Sequence, residues 1–434
     1  MVTRVRPAFR KWLRILLPPI VLVFGWILWG DAEVRRYQQA VADLERRAPP
    51  TSPAPSLEDG SRFYAAAAVL AEIPAMAVAV QTAGAMRDAL VAGSPADSAI
   101  QQAANETLRL NEPTLAVVDQ ASELQVPGVM RSSVRAAALR SIPVWSTMAP
   151  VMSLRTLDFI ARGQDGRAAA SLVSSIRFLR GASADTQSLA ATQQANVVRG
   201  LVADFAVMLQ RSTLSAVALD DIDRAFADLV RPGDLQRLIL GQAKFRYSNV
   251  SVYSASGLYG DLIRPARYRV ATGIAKIAAE ALDVAAQPWP DRVRGMAGLH
   301  SRNTWFAPSS LRTINGDANR QLFQWIVGDF ATSVAAVNVA RTAIAIERHR
   351  QAHGGFPESL SQTDAAPEMT VDPFTGSTLR YRRRQQGYVL YSVGQDGRDD
   401  GGDVGPIGKA VVPGGLGKDV GMRVEARAAT ASAH

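Results

Sequence analysis

Between Ile15 and Gly30 the chain reads ILLPPIVLVFGWILWG, without a charged residue. Such a run constrains the fold more than any other feature, because it has to be buried in a core or in lipid. Its sixteen residues, at about 1.5 Å each, give roughly 24 Å of helix, slightly under the hydrocarbon thickness of a bilayer. Snorkelling of Lys11 and Arg14 lets Trp12 and Leu13 lengthen the apolar stretch. Trp12, Trp26 and Trp29 stand near its ends, where indoles favour the membrane interface. Arg4, Arg6, Arg10, Lys11 and Arg14 precede it, and Asp31 and Glu33 follow. The positive-inside bias therefore puts residues 1–30 across a bacterial inner membrane with a cytoplasmic tip, and the bulk of the chain in the periplasm. Gly30-Asp31-Ala32 also fits a small-residue cleavage site, so a removable signal peptide stays open. Pro18-Pro19 predict a kink, or a helix that begins there after an interfacial stretch.

Residues 31–47 are polar and helix-favouring and predict a short stalk; APPTSPAPS at 48–56 is a polyproline-like spacer, which sets a stalk and linker over 31–56. From Leu57 to Asn338 alanine-rich stretches with a period near 3.6 are cut by Gly and Pro. Leu154, Leu157, Ile160 and Ala161 form one stripe, Gly163 stops that helix, and Asp165 can cap the next. Ala169, Leu172, Val173, Ile176 and Leu179 form the second stripe, and the short turn makes an antiparallel pair. Leu219-Asp220-Asp221-Ile222 is a further start signal, with Ile222, Phe226, Leu229 and Val230 on one face. The fold class is mainly α: an N-terminal transmembrane helix, a solenoid-like or bundle domain over 57–338, and a small α+β head with a β-hairpin over 339–405. Tyr247–Arg269, rich in Tyr, Ser and Gly, predicts a long connection or a binding loop, and a second irregular region surrounds Trp289, Trp305 and Phe306.

The formal charge of +9 does not amount to a nucleic-acid site, because the basic residues are scattered along helices. The dense runs are the N-terminal cluster beside the membrane segment and Arg382, Arg383 and Arg384 in the expected hairpin. With no cysteine, disulfides, thiolate metal sites and cysteine nucleophiles are excluded.

In the head, a helix from Asn319 to Ala352 ends at His353-Gly354-Gly355-Phe356-Pro357, and Asp372-Pro373-Phe374-Thr375-Gly376 makes a turn. Leu379-Arg380-Tyr381-Arg382, a Gln385-Gln386-Gly387 turn and Tyr388–Val393 then alternate as a hairpin. Gly394-Gln395-Asp396-Gly397-Arg398-Asp399-Asp400-Gly401-Gly402-Asp403 closes the module. This run, over roughly 340–405, resembles the globular head of the major pseudopilins of type II secretion systems. The whole layout also resembles a group of membrane-anchored bacterial envelope proteins. The resemblance implies a calcium ion at the closing loop, with Ser392, Asp396 and Asp403 at the matching positions and Asp399 and Asp400 as further carboxylates. Calcium takes six to eight oxygens, and such residue types supply them. A solvated acidic turn without metal is the other reading. The membrane segment departs from the pseudopilin pattern. It lacks the prepilin-peptidase signature and lies far ahead of the head, so it reads as a tether and not as a filament-building helix. Residues 406–434 predict a disordered tail.

His300, His349, His353 and His434 are the only histidines; His349 and His353 are spaced i, i+4 with Glu347 nearby, but no HExxH order or third ligand accompanies them. No G-x-S-x-G elbow, Walker A loop or S-x-x-K pair occurs, and Gly414–Lys418 only superficially resembles a phosphate loop. The sequence thus points to a membrane-tethered interaction or scaffold protein with envelope partners, linked to a secretion or pilus-like assembly. The alternative is an envelope enzyme, for example a cell-wall hydrolase, with its site in the 247–269 region.

Overall fold

The apolar segment forms a helix that does not stop where the apolar run stops. In the computed structural model, which describes residues 7–47, 73–123, 144–182, 188–252, 258–299, 316–404 and 419–425, helix α1 runs over Pro7–Arg46 with Pro18 and Pro19 inside it. The prolines each remove one backbone donor and neither begins the helix. From Leu17 to Leu28 its large apolar side chains are exposed. Among the described residues two helices are long and apolar enough to cross a membrane, but the span in α1 is 11% buried and the other, Asn319–His353, is 67% buried. The second is therefore a core helix.

The expected stalk is not free. Ala40 and Leu44 are buried in a core built from α9 (Asp234–Val252), α10 (Leu258–Ala285), α11 (Asp291–Ala297) and the first half of α12 (Gly316–His353). Gly30, Glu33, Tyr37, Ala40 and Leu44 recur at helical spacing and none of them is exposed. This stripe is too sparse in large apolar residues to stand out in the sequence. The spacer at 48–56 and the start of the helical domain at 57–72 lie outside the described residues.

A larger core joins α2 (Ile73–Ala92), α3 (Ser98–Leu110), α4 (Glu112–Glu123), α5 (Val144–Ala161), α6 (Asp165–Ala182), α7 (Ser188–Arg211), α8 (Ala216–Leu229), the second half of α12 and the head. The α5–α6 pair forms as its stripes predict: Leu154, Leu157, Ile160, Ala169, Leu172, Val173, Ile176 and Leu179 are all buried, while Ala161 is exposed. Gly163, at φ 67°, ends α5, and the Gln164 amide donates to Phe159 O at 2.9 Å; left-handed geometry of this kind favours glycine. Helix α8 starts a turn before the expected signal, capped by Ser215, whose Oγ accepts from the Ala218 amide at 3.2 Å. Asp220 therefore lies in the second turn and pairs with Arg348 of α12.

Within Tyr247–Arg269, residues 247–252 end α9 and residues 258–269 begin α10, with 253–257 outside the described residues, and two of its tyrosines are helix contacts: Tyr37 of α1 lies 5.9 Å from Tyr247 and 5.4 Å from Tyr268, ring to ring. Burial pushes the Tyr247 hydroxyl up to about 12. Trp289 packs against both cores, whereas Trp305 and Phe306 lie outside the described residues. Helix α12 supplies Phe323, Ile326 and Phe330 to one core and Ala336, Ala340 and Ile344 to the other. A boundary at 338/339 thus falls within one continuous helix.

The head is a three-stranded antiparallel sheet in the order β1 (Arg380–Arg384), β2 (Gly387–Ser392), β3 (Val420–Glu425). The expected hairpin is β1–β2. The expectation of a disordered tail fails at Val420–Glu425, which pairs along all of β2. Val420, Met422 and Val424 turn with Tyr388 and Leu390 into the core under α7 and α12, each large apolar side chain contributing about 1.5–3 kcal/mol.

Candidate functional site

The closing loop of the head folds back over the outer face of the sheet. A Cβ at Gly402, where φ is 85°, would lie 2.6 Å from Val389 Cγ1, so the glycine permits the close approach. The loop's carboxylates bind its own backbone and strands. Asp396 Oδ1 accepts from the Arg398 amide at 3.0 Å, and Asp399 Oδ1 accepts from Tyr391 Oη at 2.8 Å and from the Gly401 amide at 2.9 Å. The Tyr391 bond holds the Asp399 carboxyl below the usual range. Burial and the Asp399 bond push the Tyr391 hydroxyl up to about 12. Buried Asp419, just before β3, accepts from the Gly402 amide at 2.7 Å and from the Asp400 amide at 3.4 Å. Burial, reinforced by the charges of Asp399 and Asp400, raises its carboxyl.

Of the four residues expected to hold calcium, Ser392 points elsewhere. Fully buried, it donates to Asp372 Oδ1 at 2.9 Å, and the Val393 amide donates to Oδ2 of the same carboxylate at 3.0 Å. Asp372, which also accepts from the Phe374 amide at 2.9 Å, fastens the Asp-Pro turn to the end of β2. Asp396 is half-buried, and Asp400 and Asp403 are exposed along the loop. Among the described residues no three His, Asp or Glu side chains gather into a metal-holding group. His349 and His353 stack at 4.2 Å at the end of α12, and Glu347 is buried against Arg350. His300, His434 and Gly414–Lys418 lie outside the described residues.

One concavity lies away from the head. It is a groove of about 1110 Å³ between α3, α4, α5, α6 and α8. On its wall Arg155 reaches Asp119 with both terminal nitrogens, at 2.8 and 2.9 Å, and donates from Nε to Ser171 Oγ at 3.0 Å. Ser174 Oγ donates to Asp119 at 2.6 Å. Arg162 bridges Asp158 and Asn105, and the Arg167 guanidinium lies 4.3 Å from the centre of the Phe159 ring. Arg167 and Arg177 stand on one stripe of α6, and neither has a carboxylate partner among the described residues. The lining contains no histidine or lysine, and all four of its serine hydroxyls are engaged. Chemically this is a polar surface on which Arg155 is committed to Asp119 and Ser171, while the guanidinium groups of Arg167 and Arg177 are of the kind that pairs with carboxylates. The sequence signal was the recurrence of Arg and Ser on the polar faces of α5 and α6, which only the pairing of the helices brings together.

No family model, curated protein or solved structure matches this chain.

Proposed function

We propose that this chain is a membrane-tethered periplasmic interaction protein, a scaffold within a secretion or pilus-like envelope assembly, with the α3–α8 groove as its partner surface. The observation that carries the reading is α1 itself: one helix, exposed and apolar from Leu17 to Leu28, whose Gly30, Glu33, Ala40 and Leu44 are then buried against the body. Its continuity also favours a retained anchor over a cleaved signal. Gly30-Asp31-Ala32 lies inside the helix, and Gly30 is buried. The groove, whose charges are mostly paired in place, supports binding over catalysis. Crosslinking in intact envelopes followed by pull-down tests this. A defined partner should be recovered with the wild type and lost on Arg155→Glu combined with Arg167→Glu. A partner retained by that variant, while the helical content stays native, would remove the groove from the proposal. Recovery of no partner from the wild type would remove the scaffold.

A further inference from the structure

Helix α10 runs beside the second half of α1 in the same direction. Arg264 lies 3.7 Å from Asp31, and a Cβ at Gly30 would lie 3.6 Å from Pro265 Cγ. Further along, Tyr268 meets Tyr37 and Asp283 pairs with Arg47. The numbers rise together, so the two helices are parallel. Helix α9 runs the other way, with Tyr247 at Tyr37 and Lys244 at Glu45. The end of α9 and the start of α10 therefore lie at the membrane end of the bundle.

Helix α10 begins at Leu258, six residues before Arg264. At about 1.5 Å per residue, its first turns extend roughly 9 Å past the level of Asp31 toward the apolar span. The same register brings Leu258 level with Phe24 or Gly25, inside the exposed apolar run. Trp26 lies on the face of α1 that continues through Gly30, Glu33 and Tyr37. At 39% it is the least exposed of the large apolar side chains that α1 leaves exposed, and the Trp29 ring lies 4.9 Å from it. The sequence of these turns, Leu-Tyr-Gly-Asp-Leu-Ile, holds one charge. The next turns carry exposed Arg264 and Arg269, and Arg269 has no carboxylate partner among the described residues.

We infer that the start of α10, Leu258–Ile263, is a second membrane contact, seated in the headgroup layer of the periplasmic leaflet, with Arg264 and Arg269 at the lipid phosphates. Leucine, isoleucine and tyrosine suit that depth, and arginine at its edge reaches phosphate with a bidentate fork. The body is then pressed against the membrane at its α9–α10 end and is not carried free on a tether. This rests on α1 being a membrane span.

The chain has no cysteine, so single-cysteine labelling of the full-length protein is clean. Leu22→Cys, Tyr259→Cys, Leu262→Cys and Arg46→Cys would each be labelled with bimane. The proteins would then be reconstituted into phosphatidylethanolamine–phosphatidylglycerol vesicles doped with a headgroup-proximal doxyl lipid. We expect quenching at 22 and at 259 or 262, and none at 46. Arg264→Gln with Arg269→Gln should lower the quenching at 259 while leaving that at 22 unchanged. Labels at both 259 and 262 that behave like 46, with 22 quenched, would overturn the second contact and leave the anchor standing. An unquenched label at 22 would overturn both.

Discussion

Arg87→Met tests how the larger helical core is held. Arg87 of α2 and Asp204 of α7 are 6% and 1% exposed. Arg87 donates from Nε and Nη2 to Asp204 Oδ1 at 3.0 and 2.7 Å, and Nη2 also donates to Ser153 Oγ of α5 at 2.9 Å. Three helices are tied at this point, and Asp204 Oδ2 has no partner. With the guanidinium gone, a carboxylate is left buried without a counter-charge, and breaking one side of such a pair costs about 3–5 kcal/mol. Replacing both members, Arg87→Met with Asp204→Leu, removes the buried charge together with its partner and should recover most of that loss. Urea unfolding of the full chain in detergent micelles, followed by helical circular dichroism, reads both variants. The single variant should shift the midpoint down with an unchanged slope, and the double variant should lie near the wild type. A loss under about 1 kcal/mol in the single variant, the size expected for an exposed pair, would refute the claim that this ion pair is sealed from water.

In the head, a Cβ at Gly421 would collide with Leu390 O and with Tyr391. Gly421→Val should therefore detach β3 and expose the β2 amides to rapid hydrogen exchange; unchanged protection would count against the sheet order. Asp419 gives the head a pH dependence. Its carboxyl is raised in the folded state by burial, so its contribution is complete below the unfolded value and is lost as pH rises through the folded one. The head should thus be more stable at mildly acidic than at neutral pH, and Asp419→Asn should flatten that slope; parallel slopes would refute it. Calcium remains a proposal for the closing loop, through Asp396, Asp400 and Asp403. Titration calorimetry on the full chain should give heat that Asp396→Ala with Asp403→Ala abolishes, and no heat from the wild type would dispose of the ion.

The α5–α6 pair was legible because its stripes are made of large apolar residues and Gly163 marks the turn. The β1–β2 hairpin was legible because alternation on both sides frames the Gln385-Gln386-Gly387 turn, of which the structure keeps Gln385-Gln386 as the loop. Strand β3 left a signal, with Val420, Met422 and Val424 in period two. That signal is short and follows a Gly- and Pro-rich stretch, and β2 already has a partner in β1. By sequence Gly387 fits a turn. Its lack of a side chain is required instead by β3, since a Cβ there would strike Val424 O. The tyrosines and glycines of 247–269 suggested a loop by composition, and helix packing around Tyr37 overrode that preference. The groove could not be read, because the polar faces of α3, α4, α5, α6 and α8 line one concavity only once all five helices have packed. In the loop, Ser392 and Asp396 were correct in type for an ion, but their hydrogen bonds were invisible without Asp372 and the Arg398 amide.

The central claim is that α1 is a retained membrane span with the body on the periplasmic side. Its most direct test is the fate of the full chain in spheroplasts. The account predicts that the chain sediments with the inner membrane, keeps its N-terminal segment, and is digested in its body by externally added protease. A soluble chain beginning at Asp31 or Ala32, or a membrane-bound chain whose body resists the protease until the membrane is broken, would contradict it.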